Sequence, residues 1–209
     1  MAHTTDLHVL LIDDHPLFSI GFAHALQTAG AGIQVRTAES IDAGLATAAD
    51  WPLLDIVLLD YRLPGQDGLV GVRRFGEVLP LVARLLISGL DDDQLAARAR
   101  QAGACGVLSK SLSLPGLLEA LQTVAAGGEW FQPTGRVDGG LDEAADGPTV
   151  RQMEVLNLVA QGLPNKLIAS QLGIAERTVK LHVTALLETL RAQNRTHLLV
   201  VARDRGLLA

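Results

Sequence analysis

The first 126 residues alternate between short apolar runs and longer stretches in which apolar residues recur every three or four positions. Short runs bounded by glycine, proline or polar residues are typical of buried strands, and the longer period is typical of helices. The pattern predicts five strands, over residues 7–12, 35–38, 53–59, 83–87 and 105–108. It predicts five helices, over residues 17–29, 40–49, 69–78, 91–102 and 115–126. Strict alternation of strand and helix favours a doubly wound parallel sheet.

Polar residues directly follow four of the predicted strands. Asp13 and Asp14 follow the first, Asp60 the third, Ser88 the fourth and Lys110 the fifth. Because the carboxyl ends of parallel strands meet at one edge of a sheet, we expect these five side chains to converge. Three clustered carboxylates need a cation among them, and oxygen ligands without a histidine or cysteine cluster suit Mg²⁺. A carboxylate beside a metal ion and an ammonium group can attack a phosphoryl group, so the pattern predicts an aspartyl phosphate at Asp60.

The net charge of −6 is unevenly distributed along the 209 residues. Residues 1–147 carry 9 Lys and Arg against 19 Asp and Glu, a net charge of −10, whereas residues 148–209 carry 8 against 4, a net charge of +4. A basic segment on an acidic protein suggests contact with nucleic acid at that end. No apolar run approaches the roughly 20 residues that span a bilayer, and the single Cys105 excludes an internal disulfide. We therefore expect a cytoplasmic protein with no membrane contact.

The chain beyond residue 126 divides into a linker and a helical segment. Residues 127–147 are rich in glycine and acid and have no periodicity, which indicates a linker. Apolar periodicity predicts helices over residues 150–160, 165–172 and 175–190, with a glycine turn at Gly173 before the third. Helix, glycine turn and longer helix are typical of a helix-turn-helix, whose second helix enters the major groove of DNA. The residues predicted near its outer face are Arg177, Thr178, Lys180, Leu181 and Thr184.

Four segments of the first part, IDDHPLF, LLDYRLPGQDGL, LISG and GVLSK, resemble the signature segments of response-regulator receiver domains. The resemblance implies a flavodoxin-like receiver domain over residues 1–126, with Asp60 as the phosphoacceptor. It implies that Mg²⁺ is bound by Asp13, Asp14, Asp60 and the backbone carbonyl of Arg62. It also implies that the hydroxyl of Ser88 and the ammonium group of Lys110 contact the phosphoryl group.

One position departs from this family. Receiver domains usually carry a Tyr or Phe three residues before the lysine, and this aromatic ring swings inward when the site is phosphorylated; here the residue is Val107. The substitution leaves the phosphoryl chemistry intact and predicts weaker transmission of phosphorylation to the rest of the protein.

The second part resembles the LuxR-type helix-turn-helix through EVLNLVAQGLPNKLIASQLGIAERTVKLHV and NRTHLLVVARDRGLL. The resemblance implies an all-α domain of four helices over residues 148–209, with residues 177–184 as the DNA-reading face. It also implies that Asn165 and Lys166 approach the phosphates and that residues Thr196 to Arg205 form a dimer contact. Thr184 stands where some relatives have a basic residue, so base preference does not carry over. Receiver and helix-turn-helix together are the arrangement of NarL/FixJ-type response regulators.

The leading hypothesis is a transcription factor of a two-component system, and not an enzyme with turnover. A sensor histidine kinase phosphorylates Asp60, double-stranded DNA is the target, and a homodimer forms through residues 196–205 or through the receiver. An alternative in the same architecture is an atypical regulator whose receiver acts by dimerisation or partner binding without phosphorylation. A third hypothesis, an aspartate-nucleophile phosphatase, requires a second acid two residues after the nucleophile, where Arg62 stands.

Overall fold

The computed structural model describes residues 7–29, 32–89, 92, 94–131, 147–174 and 176–208. These residues form two compact units. The N-terminal unit comprises the described residues up to Val124 together with residues 129–131, and the C-terminal unit comprises residues 125–128 together with the described residues from Gly147 onward. Within these ranges, no helix is both long and apolar enough to cross a membrane.

A six-stranded parallel sheet forms the centre of the N-terminal unit. Its strand order is β2-β1-β3-β6-β7-β8, with β1 Leu7–Ile12, β2 Ile33–Ala38, β3 Ile56–Asp60, β6 Ala83–Ser88, β7 Gly106–Ser109 and β8 Trp130–Phe131. Two-residue strands β4 Arg62–Leu63 and β5 Gln66–Asp67 pair in an antiparallel hairpin after β3. The helices between the strands are α1 Pro16–Thr28, α2 Ile41–Ala49, α3 Gly68–Val78, α4 Leu95–Ala102 and α5 Leu114–Ala125.

The central strands are buried on both faces, which explains their nearly continuous apolar sequences. All residues of β1, β3 and β6 are buried, as expected for strands of a parallel sheet covered by helices on both sides. Leu10, Leu59 and Phe75 lie in one core cluster, and each has less than 1% of its surface exposed. The predicted doubly wound α/β fold is confirmed, and its polar strand ends come to one edge.

Two elements begin three or four residues later than predicted. Strand β3 begins at Ile56 instead of residue 53, because a turn in which the Leu54 N–H donates to the Trp51 carbonyl precedes it. Helix α4 begins at Leu95 instead of residue 91, after a turn in which the Gln94 N–H donates to Asp92 Oδ1; Asp91 and Asp93 lie outside the described residues. The hydrogen bonds of both turns therefore shorten the predicted elements.

The sheet has six strands, whereas five were predicted, because part of the predicted linker adds an edge strand. In β8, Trp130 pairs with Gly106 and Phe131 with Val107 of β7. Arg100 of α4 stacks 4.1 Å from the Phe131 ring centroid, and its guanidinium lies 2.8 Å from Glu129 Oε2. These contacts hold residues 129–131 against the edge of β7.

The described residues from Gly147 onward form four helices, as predicted: α6 Val150–Ala160, α7 Asn165–Leu172, α8 Glu176–Thr189 and α9 Arg195–Asp204. A capping box formed by Thr149 and Gln152 begins α6. Between α7 and α8, Gly173 adopts a left-handed conformation with φ of 65°, which glycine enters without steric cost. Val179, Leu186 and Leu198 are fully buried and form part of the helical core.

Candidate functional site

The ends of β1, β3 and β7 bring two carboxylates and one ammonium group together at the same edge of the sheet. Asp60 ends β3 and is 3% exposed, and Asp13 follows β1 and is 1% exposed. Lys110 follows β7, and its Nζ donates to Asp13 Oδ2 and to Asp60 Oδ2, both at 2.7 Å. The convergence expected for these three side chains is thus present.

The electrostatics of the cluster keep Lys110 charged. Burial lowers the pKa of Lys110, but its hydrogen bonds to Asp13 and Asp60 and the negative charge of both carboxylates outweigh this, so the pKa lies above its ordinary value. The Nζ atom also lies 4.5 Å from the ring centroid of Phe18. An ammonium group in this position offsets part of the repulsion between the two buried acids.

Backbone contacts fix the position of these side chains. The Lys110 N–H donates to the Ser88 carbonyl at 2.7 Å, which ties the end of β7 to the end of β6, and Ser88 itself is buried. After Asp60, the Arg62 N–H donates to Asp60 Oδ1 at 3.2 Å. A Cβ atom at Gly68 would lie 2.4 Å from the Asp60 carbonyl oxygen, so only glycine allows α3 to begin this close to the strand end.

Asp14 contributes an oxygen atom that suits a cation. Its Oδ1 is buried and, among the described residues, receives no hydrogen bond, which is costly for a carboxylate unless an ion binds it. Ligand atoms of Asp13, Asp14 and Asp60 lie within 4.8 Å of one another in a cluster that could hold a metal ion. Hard oxygen ligands of this kind fit Mg²⁺.

The cluster also contains His15, which the sequence interpretation missed. Its Nδ1 lies 2.9 Å from Asp13 Oδ1 and 3.2 Å from Asp14 Oδ1. The sequence interpretation considered the oxygen ligands of this site and did not include the His15 ring. The sequence did carry a signal, because His15 follows the acid pair directly and Pro16 then begins α1, so the loop is too short to carry the ring far away.

The sequence analysis also predicts that residues on the outer side of α8 contact DNA. Lys180 is exposed, with 65% of its side-chain surface accessible and its Nζ 3.7 Å from Glu176 Oε1. Thr184 is exposed and Leu181 partly so. Thr178 is 5% exposed, so its predicted place on the outer face is wrong: it lies one residue before the fully buried Val179, on the inner side of the helix. The side chain of Arg177 lies outside the described residues.

The two residues predicted to approach the phosphates lie at the start of α7. Lys166 is exposed. Asn165 is partly buried, and its Oδ1 accepts a hydrogen bond from Arg195 Nη1 at 3.0 Å, while Arg195 Nη2 also donates to the Leu163 carbonyl. Asn165 therefore links α7 to α9, and its side-chain oxygen already has a partner within the C-terminal unit.

On the inner side of α8 lies a histidine that the sequence analysis did not single out. His182 is 4% exposed, and its Nδ1 receives or donates no hydrogen bond within the described part of the chain. Burial, together with the positive charge of Arg151, lowers the pKa of His182 to about 4, although a backbone hydrogen bond to Ala126 acts in the opposite direction. His182 is therefore neutral at pH 7 and packs against residues 125–128.

Two family models match consecutive parts of the chain. The response regulator receiver domain matches residues 9–122, and the family of bacterial regulatory proteins of the luxR type matches residues 149–202. The receiver match alone covers more than half of the chain, and it contains all the residues of the acidic cluster. The luxR match contains helices α6 to α8 and most of α9.

The chain is similar to transcriptional regulators over most of its length and to an isolated receiver domain over its first part. The chain is 35% identical to the transcriptional activator protein ExaE of Pseudomonas putida, over 96% of this chain and 97% of that protein. It is 32% identical to the nitrate/nitrite response regulator protein NarL of Escherichia coli, over 93% of this chain and 94% of that protein. The signal receiver domain of the putative response regulator NarL from Mycobacterium tuberculosis superposes with a TM-score of 0.53 at 33% identity, covering 58% of this chain and 98% of that domain. The chain therefore belongs to the luxR-family response regulators of two-component systems, in which a receiver domain is joined to a DNA-binding helix-turn-helix domain.

Proposed function

We propose that Asp60 accepts a phosphoryl group from a sensor histidine kinase and that this modification controls binding of the C-terminal unit to duplex DNA. The observation that carries the proposal is the position of Lys110 Nζ, 2.7 Å from both Asp13 and Asp60 at the end of the central strands. This arrangement presents a carboxylate nucleophile with a cation already beside it. A cytoplasmic location, where both the kinase and DNA are reached, is part of the proposal.

In the proposed transfer, a carboxylate oxygen of Asp60 attacks the phosphorus of a phosphohistidine. The new O–P bond forms as the P–N bond breaks, and the released imidazole takes up a proton from solvent. Lys110 then faces the negative phosphoryl oxygens, and the Ser88 hydroxyl donates to one of them. The residues that would hold Mg²⁺ are Asp13, Asp14, Asp60 and the backbone carbonyl of Arg62. When bound, the ion neutralises charge on the phosphoryl oxygens.

Labelling with a small phosphodonor tests the acceptor. We expect full-length protein incubated with acetyl phosphate and Mg²⁺ to gain one phosphoryl group, and peptide mapping to place it on Asp60. Asp67→Asn is a matched control, because Asp67 is an exposed neighbour of the site that caps α3 through its side chain, and asparagine caps equally well. A phosphoryl group mapped to another residue, or no modification at all, would contradict the proposal.

The DNA-binding surface is the exposed side of α8. Lys180 and Thr184 lie one helical turn apart on this side, and both are exposed. Lys166 at the start of α7 supplies a second exposed cation, and residues 148–209 carry a net charge of +4. A positively charged helix face of this kind fits the major groove and its flanking phosphates.

Replacing Lys180 with alanine should weaken binding of full-length protein to duplex DNA. If Lys180 contacts guanine, its loss should cost about 1–3 kcal/mol of binding free energy at preferred sequences only. If it contacts a phosphate, its loss should weaken binding to all duplexes alike, and the number of ions released on binding should fall by about one. Fluorescence anisotropy at several salt concentrations separates the two. Arg73→Ala removes an exposed positive charge from the N-terminal unit and should leave affinity unchanged. Equal binding by Lys180→Ala and wild type on every duplex would show that another face contacts DNA.

Homodimerisation is the remaining part of the proposal. Thr196 and Val200 lie one turn apart on α9, and both are exposed, Val200 with 51% of its surface accessible. An exposed valine on a helix that ends the domain supports the dimer contact implied for residues 196–205. The N-terminal unit is the other candidate surface, because α1 exposes Leu17 and Ile20.

A second candidate function is favoured by one observation. Val107 is partly buried and pairs in register with Phe131 of β8, so the position where the family usually has a mobile aromatic ring is aliphatic and lies beside an edge strand. A receiver of this kind could act through dimerisation or partner binding without phosphorylation. The labelling experiment separates the two functions, since only the first requires a modified Asp60.

A further inference from the structure

His15 occupies a position in the acidic cluster that the phosphoryl chemistry does not explain. Its backbone N–H donates to Asp13 Oδ1 at 2.8 Å, which folds the chain back and turns the ring toward the carboxylates. The ring atom Nδ1 then lies 2.9 Å from Asp13 Oδ1, 3.2 Å from Asp14 Oδ1 and 3.7 Å from Asp60 Oδ2. The shortest of these contacts is a hydrogen bond in which the Nδ1–H group donates to the Asp13 carboxylate. A metal ion bound by His15 would take the place of this proton, with three carboxylates around it.

The oxygen atoms of the cluster divide into two sets. Lys110 Nζ contacts Oδ2 of Asp13 and Oδ2 of Asp60. Oδ1 of Asp13 and Oδ1 of Asp14 face His15 instead, and the latter oxygen is the buried one without a hydrogen bond within the described residues. Lys110 therefore does not contact Oδ1 of Asp13 or Oδ1 of Asp14. A second cation can bind these two oxygens beside the His15 imidazole.

The distances from His15 Nδ1 to Asp13 Oδ1 and Asp14 Oδ1 match those between neighbouring ligand atoms around one metal ion. Metal bonds of about 2.0–2.1 Å at right angles place adjacent ligand atoms about 3 Å apart. The two separations of 2.9 and 3.2 Å from His15 Nδ1 lie close to this value. One nitrogen and two oxygens can therefore bind the same ion with little rearrangement.

We propose that His15 is a ligand of a divalent ion in this site, and that it makes the site prefer imidazole-binding transition ions, such as Ni²⁺ and Cu²⁺, over Mg²⁺. Imidazole suits first-row transition ions, whereas Mg²⁺ prefers oxygen ligands and keeps its water. The inference rests on the metal site of the proposed function. With 63% of its side-chain surface exposed, His15 lies at the solvent side of the cluster, where an ion can enter and leave.

Isothermal titration of untagged full-length protein with NiCl₂ and with MgCl₂ tests the inference. We expect His15→Ala to weaken Ni²⁺ binding by at least about tenfold, because even outer partners of metal ligands contribute about 10–100-fold to affinity. Mg²⁺ affinity should change by less than about twofold, since the three carboxylates remain. His24→Ala is the matched control, because His24 is an exposed histidine on the same helix α1, and it should change neither affinity.

A spectroscopic measurement supplies a second readout. Pulsed electron paramagnetic resonance of the protein loaded with one equivalent of Cu²⁺ should show coupling to one imidazole nitrogen in wild type and His24→Ala, and none in His15→Ala. Absence of that coupling in wild type, or equal Ni²⁺ affinity in wild type and His15→Ala, would overturn the assignment.

A further variant distinguishes failure of this inference from failure of the proposed function. Asp14→Asn should weaken both Mg²⁺ and Ni²⁺ binding, because Asp14 supplies an oxygen to either ion. If Asp14→Asn weakens Mg²⁺ binding while His15→Ala leaves Ni²⁺ binding unchanged, the proposed metal site stands and the role of His15 is wrong. If Asp14→Asn changes neither ion, the metal site is wrong and the inference fails with it.

Discussion

Replacing Lys110 with methionine should slow phosphorylation of the protein by acetyl phosphate by about 100-fold or more. The ammonium group lies 2.7 Å from both Asp13 and Asp60, where it can stabilise negative charge on the transferred phosphoryl group. Removal of one such preorganised donor typically costs about 10²–10³-fold in rate. Methionine keeps most of the length of the lysine side chain and removes its charge and its N–H donors. The rate is measured by mass spectrometry of the intact protein at saturating Mg²⁺.

Two variants make this result interpretable. Asp60→Asn defines the background, because an amide replaces the proposed nucleophilic carboxylate and no phosphoryl group should be gained. Lys166→Met removes an exposed lysine of the C-terminal unit and should react at the wild-type rate. An unchanged rate in Lys110→Met, with a folded protein by circular dichroism, would show that Lys110 does not assist the transfer.

Replacing Gly127 with alanine should destabilise the C-terminal unit by about 2–5 kcal/mol. Gly127 has a φ of 82°, and a Cβ atom there would lie 2.6 Å from Nδ1 and 2.7 Å from Cε1 of His182. A left-handed alanine costs about 1–2 kcal/mol, and forcing an atom into a packed interior costs a further 1–3 kcal/mol or so. Because His182 is buried on α8, the clash should lower protection of the α6 and α8 amides against hydrogen exchange.

Gly162→Ala supplies a matched control within the same unit. Gly162 has a φ of 79°, close to that of Gly127, but an added Cβ would meet no atom within 4 Å. This variant should show only the backbone cost of about 1–2 kcal/mol. The difference between the two variants therefore measures the contact with His182. Equal loss of protection in both variants would mean that residues 125–128 do not pack on α8 as described.

Hydrogen bonds from the start of α6 hold residues 126 and 127 in place beside His182. The Thr149 hydroxyl donates to the Gly127 carbonyl at 2.7 Å, and Gln152 Nε2 donates to the Ala126 carbonyl at 3.1 Å. These bonds hold both carbonyls toward α6 while Gly127 faces His182. Residues 125–128 are thus built into the C-terminal unit by polar contacts as well as by packing.

The sequence was sufficient to predict the sheet and the acidic cluster, because both depend on strong local patterns. Alternating apolar runs and amphipathic stretches determine a doubly wound sheet, and that topology brings Asp13, Asp60 and Lys110 to one edge whatever the details of the loops. The edge strand formed by Trp130 and Phe131 had no such signal. It is two residues long and is held by the exposed edge of β7, a long-range contact that composition does not reveal.

The errors at individual residues have similar causes. Helical periodicity locates a buried stripe only to within about one residue, so Thr178, beside the buried Val179, was placed on the wrong side of α8. His182 carried no motif, and its burial depends on packing against residues 125–128. His15 was passed over because the acid pair before it accounted for a metal site by itself, whereas the backbone hydrogen bond that turns its ring inward appears only in the folded loop.

We expect phosphorylation of Asp60 to change the affinity of the protein for DNA. The most direct measurement is the affinity of full-length protein for its preferred duplex, with and without beryllofluoride as a stable phosphoryl mimic, in wild type, Asp60→Asn and Val107→Tyr. Since Val107 lacks the ring that usually swings inward, we expect a coupling free energy of about 1 kcal/mol, or roughly fivefold tighter binding in wild type. Asp60→Asn should show no change, and Val107→Tyr a larger one. If beryllofluoride leaves the DNA affinity unchanged both in wild type and in Val107→Tyr, phosphorylation of Asp60 does not control DNA binding. That result would favour a receiver that acts without phosphorylation.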